Sequence, residues 1–166
     1  MRAINIHKRI IDQPKSKVVE LFATLATEKD MMLATDKWPP MKLDKGLQLG
    51  SKGGHGSIEY TVIDYHPEEF IEFEFSKPEG FIGIHKFEIT ELENERTELK
   101  HTIKMNTSGI ANFIWPFAIR WLHDAYIEDA FDKVENHFTA KKKRTEWNFW
   151  VKFLRKKFNQ SSNEPR

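Results

Sequence analysis

The chain has 166 residues, 39% apolar and 31% charged, enough for one domain with a buried core. The absence of cysteine excludes a disulfide scaffold, a thiolate zinc site and a cysteine nucleophile, and suits an intracellular, cytoplasmic protein. The net charge of +1 averages two unlike parts: residues 1–138 carry 17 Lys+Arg against 23 Asp+Glu, whereas 139–166 carry nine against two, so the acidic body is not expected to bind nucleic acid.

The N-terminal MRAINIHKRIID has no apolar core of the signal-peptide kind, and no stretch approaches the ~20 apolar residues that span a bilayer. Residues 3–12, rich in isoleucine, read as a strand; Pro14 then opens a helix in which Val18, Leu21, Phe22 and Leu25 recur at helical spacing. From 28 to 48 the pattern is irregular, with a short helix around Lys29–Leu33 before Trp38-Pro39-Pro40 breaks regular structure.

GSKGGHGSIEY, 50–60, looks at first like a phosphate-cradling loop. Counted against G-x-x-x-x-G-K-[ST] from Gly50, however, His55 stands where the second glycine belongs, and strand-like SIEYTVIDY follows instead of a helix. The dinucleotide pattern G-x-G-x-x-G fails too, because Gly54 and Gly56 are followed by Glu59 at the third position. The glycines therefore read as a tight connection between two strands, with Lys52 and His55 at its edge.

Residues 57–66, 70–76, 81–92 and 97–105 are β-branched or aromatic runs with period-two alternation, divided by HPEE, KPEG and ENER turns, which predicts an antiparallel meander with one apolar face. After Ser108-Gly109 a long helix is predicted to about Phe138. Its apolar stripe would comprise Ile114, Phe117, Trp121, Ala125, Phe131, Val134 and Phe138, with Asp124, Glu128, Asp129, Asp132 and Glu135 on a solvated flank and Pro116 near the start. Strand, helix, four or five antiparallel strands and one long helix define an α+β fold, a curved sheet wrapped around the C-terminal helix with an internal cavity.

Three stretches make residues 3–138 resemble the SRPBCC superfamily, also called START-like or helix-grip, which includes polyketide cyclase-like and lipid-binding proteins. They are Ile11-Asp12-Gln13-Pro14 stepping into a helix with Val18, Leu21 and Phe22, the glycine loop 50–56, and PEGFIGIHKFEITELENERTELKHTIKM at 78–105. The resemblance implies a helix-grip domain over 1–138 that binds a hydrophobic or amphipathic small molecule under the long helix. A minority of such proteins are enzymes. No cofactor is implied.

By alternation, His85 shares a face with Phe87 and Ile89, and His101 with Leu99, Ile103 and Met105, so both imidazoles point inward. Pairing of Phe87 with His101, or with Ile103, keeps apolar residues facing one another across the ENER turn, and the first register makes the histidines diagonal neighbours. They are either catalytic acid–base groups or satisfied core side chains, and no metal spacing such as His-Glu-x-x-His accompanies them. The expected cavity lining is Phe73, Phe75, His85, Phe87, His101, Ile103, Phe117 and Trp121. His123-Asp124 diverge by ~100° on a helix, which argues against a dyad and for surface placement of at least one of them.

Residues 139–166 lie outside the resemblance. In KKKRTEWNFWVKFLRKKF, 141–158, Trp147, Trp150, Val151, Leu154 and Phe158 fall on one side of a helix with Phe149 and Phe153 flanking, amid Lys142, Lys143, Arg144 and Arg155. This basic amphipathic helix suits an anionic membrane surface, a partner chain, or the acidic body itself. NQSSNEPR reads as a disordered end. Three functions stand: a binding protein for a hydrophobic small molecule or lipid, peripheral to membranes through its tail; a cyclase-, aromatase- or hydrolase-like enzyme; and a co-chaperone-like interaction module.

Overall fold

Alternation of apolar and polar side chains between residues 58 and 107 gives four long strands joined by tight turns in the computed structural model, which describes residues 1–162 and side chains as far as Lys157. These are β4 (Ile58–His66), β5 (Phe70–Lys77), β6 (Phe81–Leu92) and β7 (Arg96–Thr107). β1 (Arg2–Ile11) pairs with β7, and the short β2 (Lys42–Leu43) and β3 (Lys52–His55) extend the far side. The result is one seven-stranded antiparallel sheet in the order β1-β7-β6-β5-β4-β3-β2. Phe87 stands opposite His101 and His85 opposite Ile103, the first of the two predicted registers.

The glycine loop is a hairpin between β3 and β4, with Gly56 at positive φ in the first position of its two-residue turn. Gly53 and Gly54 serve a different purpose. A Cβ on Gly53 would lie 1.8 Å from the Lys42 carbonyl oxygen, and one on Gly54 2.0 Å from that of Ile58, so neighbouring backbones occupy the space a side chain would need.

After Pro14, α1 (Lys15–Phe22) buries Val18, Leu21 and Phe22. The expected short helix around Lys29–Leu33 does not form. Instead the Asp30 carboxylate accepts the backbone N–H groups of Ala26, Met32 and Leu33, and Lys133 donates to the carbonyls of Asp30 and Leu33. Side-chain bonds thus replace the helical ladder.

The long helix runs as α2 (Ala111–Ile114), a π turn (Trp115–Ile119) and α3 (Arg120–Phe138). Pro116 has no N–H to offer the carbonyl four residues back, and Arg120 N–H reaches the Trp115 carbonyl five residues back. The π turn puts one extra residue into the repeat, and the buried side of the helix is Ala111, Trp115, Tyr126, Ile127, Ala130, Phe131 and Val134. Phe117 and Trp121, expected in the cavity, are consequently exposed by 67% and 41%.

The acidic residues of α3 are not the solvated flank that composition suggested. Arg9 on β1 donates to Glu128 at 2.8 Å, Asp132 at 3.0 Å and Glu135 at 2.7 Å, fastening the edge strand to the helix. Asp129 is buried and accepts from Lys37 Nζ and from the indoles of Trp38 and Trp147. The arrangement is a helix-grip α+β fold.

The basic segment folds back on this body. Lys142 donates to the carbonyls of Asn136 and Thr139, and Lys143 pairs with Glu135, so both close the C-terminal end of α3. Arg144 stays exposed. α4 (Phe149–Ser162) buries Val151 and Leu154, while Arg155 lies 4.1 Å from the ring centroids of both Trp38 and Trp147 and donates to the Lys37 carbonyl. The predicted disordered end begins within α4, and its residues 163–166 lie outside the described residues.

Candidate functional site

Inward alternation on β4, β5, β6 and β7 and the buried side of α3 gather an aromatic and histidine cluster between sheet and helix. His85, 4% exposed, stacks on Phe73 at 4.6 Å and Phe75 at 5.0 Å, with Tyr60 edge-on at 4.6 Å. His101, 2% exposed, rests against Phe87 and against His123 of α3. His85 Nδ1 and His101 Nε2 are 3.4 Å apart, a long hydrogen bond between the two predicted histidines. Beyond them His55 of β3 stacks flat on Tyr126 at 4.9 Å and bonds to the Tyr60 hydroxyl at 3.0 Å.

Of the expected lining residues, Phe73, Phe75, His85, Phe87 and His101 come together here. Ile103 packs lower, in a small core with Phe81, Met105 and Trp115. A groove of about 860 Å³ runs between Pro39, Pro40, Lys42, the glycine strand β3 and Ile58–Thr61, and His55 and Tyr60 form part of its wall. Behind that wall, and among the described residues, His85 Nε2, His101 Nδ1, both nitrogens of His123 and the Tyr126 hydroxyl are buried without a hydrogen-bond partner. Such groups cost ~1–3 kcal/mol each when left unsatisfied.

Burial keeps the cluster neutral. It pushes His85 and His101 well below the ordinary imidazole range, helped by the neighbouring histidines, lowers His123, and takes His55 down to about 4. It also raises Tyr60 and Tyr126.

A contrasting group lies at the β1 edge. Burial would lower His7, but its bonds to Asp124 at 3.0 Å and Glu128 at 2.8 Å outweigh that and lift it to about 9. His7, His123 and Asp124 offer atoms within 4.8 Å of one another, a spacing metal ligands share. Both His7 nitrogens are held by carboxylates, however, and a protonated ring has no lone pair for a metal. His123 turns inward and Asp124 sits at the β1 edge, both of them half-buried with Nδ1 and Oδ1 3.8 Å apart, so neither takes the surface placement that the spacing suggested.

The tail residues divide between two roles. Trp147, Leu154 and Arg155 are used on the body, whereas Trp150 and Phe153 are 39% and 40% exposed. Sequence reasoning did not single out Tyr60, Tyr126 or Trp38. Tyr60 was accessible to it, since it shares the inward face of its strand with Val62.

No protein-family model matches the sequence, and no curated protein matches it. Solved structures do resemble the fold. A Nitrosospira multiformis protein superposes with a TM-score of 0.64 at 14% identity, covering 86% of this chain and 100% of its own. Ara h 8.0201 gives 0.61 at 10% identity, covering 82% and 97%. Norcoclaurine synthase of Thalictrum flavum, solved as a point mutant with a transition-state analogue, gives 0.60 at 12%, covering 84% and 98%. At these identities the likeness establishes the helix-grip fold alone. The last two are SRPBCC proteins. No described helix is long and apolar enough to cross a membrane.

Proposed function

We propose that the protein binds a small amphipathic molecule, its apolar part in the groove beside the glycine hairpin and its polar end toward the histidine–tyrosine cluster. The observation that carries this reading is the wall shared between them: Tyr60 and His55 face the groove on one side and abut His85 and Tyr126 on the other. The groove offers apolar contact at Pro39, Pro40 and Ile58 and polar contact at Lys42, Asp44, Lys52 and Glu59, which suits a ligand that brings hydrogen-bonding atoms on an apolar frame. The fold supports the reading by analogy, since norcoclaurine synthase has been solved holding a small molecule.

Native mass spectrometry of freshly purified protein tests it, together with titration by the amphipathic dye anilinonaphthalene sulfonate. A bound mass, or saturable dye binding that the co-purified molecule displaces, is expected. His85→Gln/His101→Gln keeps donors and acceptors and should retain binding, whereas His85→Phe/His101→Phe should weaken it about tenfold or more, one lost buried hydrogen bond to a polar group being worth ~1.5 kcal/mol. Absence of both bound mass and saturable dye binding would overturn the proposal.

A further inference from the structure

The side of α2 and the π turn facing away from the sheet is apolar without being covered. Ile110, Phe113 and Phe117 are each about two-thirds exposed or more, at 71%, 68% and 67%. The Trp150 indole donates to the Phe117 carbonyl at 2.8 Å, which seats α4 beside the π turn. Trp150 stacks on Phe153 at 5.3 Å, and Phe149 next to it is 81% exposed, so the aromatic surface continues from one helix onto the other. This is a second apolar face of α4. The first, carrying Val151 and Leu154, is already spent against the body.

The two segments that carry this surface are basic. From Ser108 to His123, and again from Trp147 to Ser162, the chain has no aspartate or glutamate. Arg120 flanks the π turn, where it pairs with Asp124 at 3.7 Å, and Lys152, Lys156 and Lys157 are exposed on α4. Cores of protein–protein interfaces are depleted in lysine, whereas lysine bordering exposed tryptophan and phenylalanine matches the boundary between lipid headgroups and acyl chains.

We infer that the π turn and α4 together form a docking surface for an anionic lipid bilayer. Phenylalanine and tryptophan enter the headgroup–acyl boundary, and the lysines of α4 face the anionic headgroups. The basic helix thus binds with its outward face while its inward face stays on the body, and Ile110, Phe113 and Phe117 supply the neighbouring apolar contact. The inference does not depend on the ligand proposed above.

The test uses full-length protein and vesicles of phosphatidylcholine, with or without phosphatidylglycerol, followed by sedimentation and by tryptophan quenching with brominated lipid. Binding to the anionic vesicles, quenching, and weakening by salt are expected. Lys152→Gln/Lys156→Gln/Lys157→Gln should lower the partition coefficient about a hundredfold, at about fivefold per charge. Phe113→Ser/Phe117→Ser/Phe153→Ser should abolish binding, and exposed positions should leave far-UV circular dichroism and Tm unchanged in both variants. Failure of wild-type protein to bind anionic vesicles, or binding indifferent to both triple variants, would overturn the inference. So would a wild-type dimer by light scattering that the phenylalanine variant converts to monomer, because a second copy would then be the occupant.

Discussion

Lowering the pH from 7 to 5 should destabilise the protein through its buried imidazoles before any carboxylate titrates. His85 and His101 are neutral in the folded state because burial depresses them well below their ordinary value, whereas in the unfolded chain they protonate around 6.5. A group with a depressed folded value binds fewer protons folded than unfolded, so its contribution is complete above the unfolded value and is lost as pH falls below it. The slope is about 1.4 kcal/mol per pH unit for each fully neutral imidazole, and the pair together should cost about 4 kcal/mol between pH 7 and 5. His55, lowered to about 4 but open to the groove, adds a smaller amount in the same direction. The carboxylates Asp124, Glu128, Asp132 and Glu135 are also depressed, but their loss begins only below the unfolded carboxylate range, which separates the two windows. Urea titrations at pH 7, 6 and 5, followed by tryptophan fluorescence, measure the slope. His85→Phe/His101→Phe should flatten it. A wild-type stability that is constant from pH 7 to 5 would show that the folded cluster takes up protons freely, and the assignment of neutral, sealed imidazoles would fall.

The opposite limb belongs to His7, whose value is raised to about 9: its stabilisation is complete below about 6.5 and should be lost as pH rises through 9, an effect of about 3 kcal/mol that His7→Gln removes in the same titration. Gly54→Ala should cost more than about 1 kcal/mol and lower Tm, because the added methyl meets the Ile58 carbonyl; an unchanged Tm would show that the hairpin relaxes around it. Trp147→Ala removes a hydrogen bond to Asp129 and a wall of the Arg155 site, so a loss of about 3 kcal/mol and a faster proteolytic clipping of α4 are expected; a stability equal to wild type would mean that α4 is held elsewhere.

The sheet was legible because its cause is local. Alternation in IEFEF and in ELKHTIKM states which side chains face inward, and the ENER turn leaves two registers, of which the one that makes His85 and His101 diagonal neighbours forms. The long helix was legible in extent but not in phase. It carries apolar residues on both sides of its first half, and periodicity alone cannot say which side a π turn at Pro116 will bury. The acidic residues of α3 misled for a similar reason: the solvation of Glu128, Asp132 and Glu135 depends on Arg9, more than a hundred residues away in sequence. The tail's two faces were visible as composition, but whether the body would accept one of them depended on Asp129, Trp38 and Lys37 already being gathered beneath it.

That gathering has a kinetic and cooperative meaning. One buried carboxylate, Asp129, receives hydrogen bonds from Lys37 and Trp38 in the irregular 28–48 segment and from Trp147 ahead of α4, so departure of either segment strips a donor from a buried charge on the long helix. The irregular segment, the long helix and the basic tail are therefore expected to open as one unit. Hydrogen exchange should report this directly: the indole protons of Trp38 and Trp147, 109 positions apart in the chain, should exchange at matching rates and slow together when the protein is stabilised.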